Sequence, residues 1–217
     1  MLLSSTVFSN AVVHGFSTAA FDLSPQSSDW ETSGSFFGDE YGFALVTQVH
    51  GDVALVAAES GLLGRADALI CYQPGLVVAI RTADCVPVLV ECEGSVAAIH
   101  AGWRGIANGI IGKTLRKLKN PKAAAVGPCI SVDNYEVGNE VIEGIIASGV
   151  PKEIFVQERQ PKPHADLKKA AEYQLQQAGV SNIEVLPHCT YGDPNFHSYR
   201  RDGNRSGRLA AMIGLRR

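Results

Sequence analysis

The six histidines of this chain are few enough to weigh one at a time, and two of them share a setting. His50 closes the run Leu45-Val46-Thr47-Gln48-Val49-His50-Gly51, and His100 closes Val96-Ala97-Ala98-Ile99-His100-Ala101-Gly102. Each imidazole ends an apolar stretch of strand length and is followed at once by small residues. Cys85 lies between them, in Arg81-Thr82-Ala83-Asp84-Cys85-Val86-Pro87, just beyond a third such stretch. Strand ends on one edge of a sheet are where loops converge without disturbing the core. Two imidazoles and a thiolate are borderline-soft donors that suit zinc. Three protein ligands leave a fourth tetrahedral position open, which is the catalytic pattern. The donor set also fits copper, whose blue sites add a weak axial Met; Met1 and Met212 are the methionines present. A multinuclear copper site needs more histidines than six, so multicopper oxidation does not fit one chain. The intervals match no short metal motif. The plainer reading is two core histidines and a small buried hydrophobe.

Candidate anion contacts lie further on. Gly102-Trp103-Arg104-Gly105 leads from His100 into a helical stretch, where Gly-flanked amides and one guanidinium would cradle an anion. The alternative is a tight turn with Trp103 in the core. Near the C-terminus, Phe196-His197-Ser198-Tyr199-Arg200-Arg201-Asp202-Gly203 precedes Gly207-Arg208. Arg200 and Arg201 are candidates for phosphate contact, or else a solvated face. Cys129, in Gly127-Pro128-Cys129-Ile130, reads as a buried structural thiol, since no base adjoins it in sequence. Cys71 and Cys92 read as core, Cys189 is uncommitted, and His14 could border a site.

The elements that must position these residues are mostly strands. Short runs rich in Val, Ile, Leu and Ala at 43–49, 53–58, 68–72, 76–80, 86–90 and 96–99 predict strands, as do 123–126, 154–157, 183–186 and 208–213. Helical period joins Ile106, Ile110, Ile111, Leu115 and Leu118; then Val137, Val141, Ile142, Ile145 and Ile146; then Leu167, Ala171, Leu175 and Ala178, with Asp166 as cap and Gly179 as stop. Strands first, then strands alternating with helices, predict an α/β (α+β) layered sandwich. It has a mixed central sheet with helices packed on it, as one domain over 1–217. A long surface loop is expected over 24–37.

With 217 residues, 46% apolar and 19% charged, the chain can bury a sizeable core, and its net charge of −3 excludes nucleic-acid binding by bulk positive charge. Asp22, Asp29, Glu31, Asp39, Glu40, Asp52 and Glu59 all precede Arg65, the first basic residue. An anionic substrate group should therefore meet the later part of the chain. Five cysteines, an odd number without framework spacing, suit a reducing compartment. Neither a signal peptide nor a membrane span is read, so a cytoplasmic location is expected.

Thr47-Gln48-Val49-His50-Gly51, Arg81-Thr82-Ala83-Asp84-Cys85-Val86-Pro87, His100-Ala101-Gly102-Trp103-Arg104-Gly105 and Ser198-Tyr199-Arg200-Arg201-Asp202-Gly203 together resemble the laccase-domain family. This family is also called YfiH-like, or polyphenol-oxidase-type purine nucleoside phosphorylase. The likeness runs from about His14 to the C-terminus. It implies a single α/β/α-type domain with zinc held by His50, Cys85 and His100. It also implies phosphorolysis of adenosine, inosine and methylthioadenosine, and adenosine deamination, with purine nucleoside and phosphate as partners. Some members are linked to peptidoglycan quality control. The chain departs from the family at Ala19, where Arg is usual, in a shorter early segment without basic residues, and at Asp133-Asn134, where cysteines are usual.

On this reading deamination would use a zinc-activated water on purine C6, with Asp84 as proton shuttle or, alternatively, as a turn residue. Phosphorolysis would need zinc or a donor at the leaving purine, with Arg104 and Arg201 on the phosphate. Two other classes stay open: a metal-free thiol hydrolase with Cys85 as nucleophile and His100 or His50 as base, and a non-catalytic nucleoside-binding protein.

Overall fold

The computed structural model describes residues 2–27, 36–38 and 40–217. The loop expected over 24–37 lies largely outside these residues. In chain order the first strands are β1 (Leu2–Leu3), β2 (Val12–Ser17), β3 (Gly42–Thr47), β4 (Ala54–Ala57), β5 (Gly61–Arg65), β6 (Ala68–Cys71) and β7 (Leu76–Thr82). Then come β8 (Val86–Cys92), β9 (Ser95–Ala101), β10 (Pro121–Val126), β11 (Val156–Gln157), β12 (His164–Ala165), β13 (Asn182–Val185) and β14 (Leu209–Leu215). The helices are α1 (Trp103–Ala107), α2 (Ile110–Leu115), α3 (Asn139–Ala147), α4 (Lys152–Phe155), α5 (Leu167–Gln177) and α6 (Tyr199–Asp202).

The mixed α/β class read from the sequence holds, with the strands divided between two six-stranded mixed sheets. One has the order β1-β2-β14-β7-β3-β5 and the other β13-β10-β8-β9-β6-β4. The alternation of side chains across each strand explains the layering. Val78 and Ile80 of β7 face Leu89 of β8 and Ala98 of β9 between the sheets. Val88 and Val90 point the other way, onto Ile106, Ile110, Ile111, Val141, Ile145, Leu167 and Leu175 of the helical layer. Strands β8 and β9 are thus buried on both faces, which is why they read as unbroken apolar runs. The outer face of the first sheet carries Val77, Ala79, Ala210 and Met212 under Leu23, Tyr41 and several phenylalanines.

Several local expectations are revised. The first helical stripe breaks into α1 and α2 because Gly109 takes φ +71°. The run at 154–157 becomes the end of α4 followed by the two-residue β11. Strands β2 and β5 had no strand reading. The third helix starts as expected, with the Asp166 carboxylate accepting the N–H of Lys169. Among the described residues no helix is long and apolar enough to cross a membrane, and all five cysteines are free thiols.

Candidate metal centre and its cleft

The chain crosses from the first sheet to the second at His50 and again at Cys85, whereas His100 stands near the end of a strand of the second sheet. His50 lies between β3 of the first sheet and β4 of the second, and Cys85 lies between β7 and β8. His100 is the penultimate residue of β9, before α1. The imidazoles and the Cys85 sulfur meet at this seam with their ligand atoms within 4.8 Å of one another. Among the described residues this is the one cluster of three or more such side chains that could hold a metal. His50 is exposed, Cys85 half-buried and His100 buried, so the cluster opens to solvent on one side.

Backbone conformation is spent on this meeting. His50 and Asp84 have φ of +58° and +92°, in the left-handed region that side chains other than glycine rarely adopt. Gly102 lets the chain pass close by, since a Cβ there would stand 3.0 Å from the Cys85 sulfur. At Gly105 a Cβ would come within 3.3 Å of the Gly51 carbonyl oxygen. The glycines at 102 and 105 therefore serve close packing around the cluster, and α1 is only five residues long.

Asp67, which sequence reading missed, organises the floor. Its buried carboxylate accepts the backbone N–H of His50 at 2.9 Å, of Gly51 at 2.7 Å and of Val49 at 3.2 Å. Its Oδ1 also bonds His100 Nδ1 at 2.8 Å. One carboxylate thus shapes the His50 turn and orients the His100 ring, leaving its other nitrogen to the Cys85 sulfur. Burial would raise the pKa of Asp67, but the bonds from His100 and the backbone N–H of Gly51 and Val49 outweigh it and hold the group below its usual range. For Cys85, burial is likewise outweighed by His100 and His50, and the thiol is brought down to about 6. His100 is pushed up to about 9 because the Cys85 thiolate and Asp67 together overcome its burial. A deprotonated sulfur is thus available at neutral pH. The only sequence signal for Asp67 was a lone acid between Ala66 and Ala68, at the start of an apolar run.

The cluster lies in a cleft of about 900 Å3. Trp103 forms one side, with the Arg104 guanidinium stacked 4.4 Å from the centre of its ring. Tyr135 lies under Arg200 at 5.0 Å, and burial pushes its hydroxyl up to about 12, so it remains a donor. Arg104 and Arg200, two of the candidate phosphate contacts, therefore lie at the cleft. Arg201 does not line it: its guanidinium donates to the carbonyls of Thr190 (2.9 Å), Tyr191 (3.1 Å) and Phe196 (2.8 Å) and pairs with Asp202. That arginine braces the C-terminal corner instead. Asp84 is at the cleft, but Oδ1 accepts the Thr190 hydroxyl and Oδ2 the N–H of Arg200, both at 2.6 Å. The geometry gives it the turn role rather than that of a free proton shuttle. His14 is remote from the cleft lining and bonds Ser5 instead, while Cys129 is fully buried.

A two-sheet α/β fold with a His–Cys–His cluster at the seam of its sheets defines the class: a protein with a metal-competent centre open to a cleft. Residues 34–216 match the family described as multi-copper polyphenol oxidoreductase laccase, and the chain belongs to that family. It is 39% identical over 183 residues to a protein of Deinococcus radiodurans named purine nucleoside phosphorylase, an overlap of 81% of this chain and 71% of that one. It is also 39% identical over 175 residues to purine nucleoside phosphorylase YfiH of Escherichia coli, covering 77% of this chain and 72% of the relative. Among solved structures, Neisseria meningitidis protein NMB0706 superposes with a TM-score of 0.87 at 28% identity, over 100% of this chain and 99% of that one. YlmD of Geobacillus stearothermophilus gives 0.85 at 26% identity, over 96% and 93%.

Proposed function

We propose that this chain is a purine nucleoside phosphorylase that holds one zinc ion through His50, Cys85 and His100. The observation that carries the reading is the His–Cys–His cluster, backed by Asp67 and opening into a cleft lined by arginines. The relatives' name, purine nucleoside phosphorylase, gives its direction. The donors fit the ion: a sulfur that ionises near neutrality and two imidazoles, one with its second nitrogen already bonded to a carboxylate. When bound, zinc would supply Lewis acidity at an open coordination position. Copper has the same donors available and is the second choice.

In phosphorolysis a phosphate oxygen bonds to the anomeric carbon while the C–N glycosidic bond breaks and its electron pair leaves with the purine. Adenosine and phosphate become adenine and ribose 1-phosphate. The Trp103 ring and the Tyr135 hydroxyl offer a face and a donor to the purine, while Arg104 and Arg200 offer charge to the phosphate. Asp84 fixes the start of α6 and so positions Arg200. Adenosine deamination, in which water replaces the C6 amino group, would use the same cleft and is a second activity of this reading.

Asp67, His100 and Cys85 also form a carboxylate–imidazole–thiol series, which favours the thiol-hydrolase alternative. Zinc-loaded protein incubated with adenosine, with and without phosphate, separates the possibilities. Phosphate-dependent adenine, lost on chelation and in Cys85→Ala, is expected. Inosine formed without phosphate would point to deamination. No product from wild type, or full activity in Cys85→Ala, would overturn the nucleoside reading, and chelator-resistant activity abolished by alkylation would favour the thiol hydrolase.

A further inference from the structure

Five arginines line the cleft: Arg81, Arg104, Arg200, Arg205 and Arg208. Among the described residues none of them forms an ion pair with a carboxylate, whereas Arg201, outside the cleft, does. Two of the five stand apart by burial and placement. Arg81 ends the outward-facing series Val77, Ala79, Arg81 of β7 and is register partner to Ala210 of β14. Arg208 lies two residues before Ala210, and side chains two apart on extended backbone share a face. Arg81 and Arg208 are therefore diagonal neighbours on one face of the sheet, both half-buried.

Each guanidinium is held by neutral carbonyls. Arg81 donates Nη2 to the Val46 carbonyl at 3.1 Å, and Gln48 brackets its backbone from both sides at 2.7 Å. Arg208 donates Nη1 to the carbonyls of Ser206 at 2.8 Å and Gly207 at 3.0 Å. The Asp22 carboxylate accepts the backbone N–H of Arg208 at 2.9 Å. Burial first, and the facing charge of Arg208 second, pull the pKa of Arg81 below its usual value. Two like charges fixed side by side and half-buried, with no carboxylate paired to either guanidinium among the described residues, favour an anion that joins them. Guanidinium forks match the oxygens of a phosphate group.

We infer that Arg81 and Arg208 form an oxyanion subsite on the sheet wall of the cleft, built for a phosphate group. Under the phosphorylase reading, on which this assignment rests, the group is the attacking inorganic phosphate. A phosphoryl group carried by a nucleotide presents the same oxygens.

The test uses zinc-loaded full-length protein and Arg81→Met, a neutral side chain of similar length, with Arg208→Gln and Arg81→Lys beside it. Thermal melts and bound zinc report whether each variant is folded; Arg81→Met carries the test if Arg208→Gln is not. Calorimetric titration with inorganic phosphate and, separately, with adenosine 5′-phosphate identifies the source of the group. Loss of about tenfold or more in phosphate affinity in Arg81→Met, partly restored by Lys, supports the subsite for free phosphate. The same loss confined to adenosine 5′-phosphate supports it for a substrate-borne phosphoryl group. Unchanged binding of both ligands overturns it. Phosphate binding that depends on Arg81 without any adenine release leaves the subsite standing and removes the phosphorylase reading. Phosphate-dependent adenine release with an unchanged phosphate KM in Arg81→Met does the reverse.

Discussion

Asp67 accepts three backbone N–H groups and orients His100 with a single carboxylate. Asp67→Asn keeps the shape but replaces one of the two accepting oxygens by an NH2 donor and removes the charge from the other. Zinc affinity, measured by competition with a chromogenic chelator, should fall on the order of 10- to 100-fold; an unchanged affinity would mean that His100 needs no such support. The cysteines give a second prediction at this scale. Cys85 is brought down to about 6 and Cys189 is also lowered by hydrogen bonds to its sulfur, whereas burial pushes Cys92 up to about 12 and Cys129 higher still. Iodoacetamide at neutral pH should label Cys85 and Cys189 in metal-free protein, and zinc should protect Cys85 alone, as read by peptide mass mapping. The two histidines and Cys85 drew notice in the sequence because each ends or follows an apolar run. Type and spacing fitted core residues equally, and the family resemblance named them as ligands. Asp67 was not legible, because its partners, three backbone N–H groups and the His100 ring, lie 16 to 33 residues away and meet it only in the fold. Arg201 and Arg200 are adjacent and alike in sequence, yet one braces carbonyls and the other reaches the cleft.

At the scale of elements, the turns between the sheets carry the site. A Cβ at Gly102 would crowd the Cys85 sulfur at 3.0 Å and the His50 ring at 3.5 Å. Gly102→Ala should therefore lose zinc affinity by about tenfold while its circular dichroism stays that of wild type; wild-type affinity would show that the turn yields freely. At the other end, β1 pairs with β2, and His14 of β2 accepts the N–H of Ser5 through Nε2. Burial holds its pKa below the usual value of about 6.5. The folded state keeps the ring neutral while the unfolded chain takes up a proton. The contribution is thus present above pH 6.5 and is lost as pH falls through the lower folded value. Urea unfolding from pH 7 to pH 5 should show wild type losing more stability than His14→Gln; parallel losses would remove His14 from the account. Strands β6 to β10 were readable because burial on both faces gives each an apolar run over most of its length. Strand β5 was not, since most of it is exposed at a sheet edge and Gly61 and Gly64 interrupt it.

For the whole molecule, two sheets share the apolar layer that contains Leu89, Leu69, Val78 and Ile80. Leu89→Ala should cost about 2–5 kcal/mol in chemical unfolding, in one cooperative transition. The division of strands between two sheets could not be read from local pattern, because an inter-sheet face and a helix-covered face are equally apolar. Charge is arranged at this scale too: five arginines, all beyond residue 65, line the cleft, and of the acids before that point Asp22 alone is among its lining residues. In the proposed function one zinc ion at one His–Cys–His centre supports phosphorolysis. Titrating metal-free protein with zinc while following phosphate-dependent adenine release tests it most directly. Activity should rise from baseline and level off at one zinc per chain, with no rise in Cys85→Ala; full activity before zinc is added, or a plateau only at several ions per chain, would contradict it.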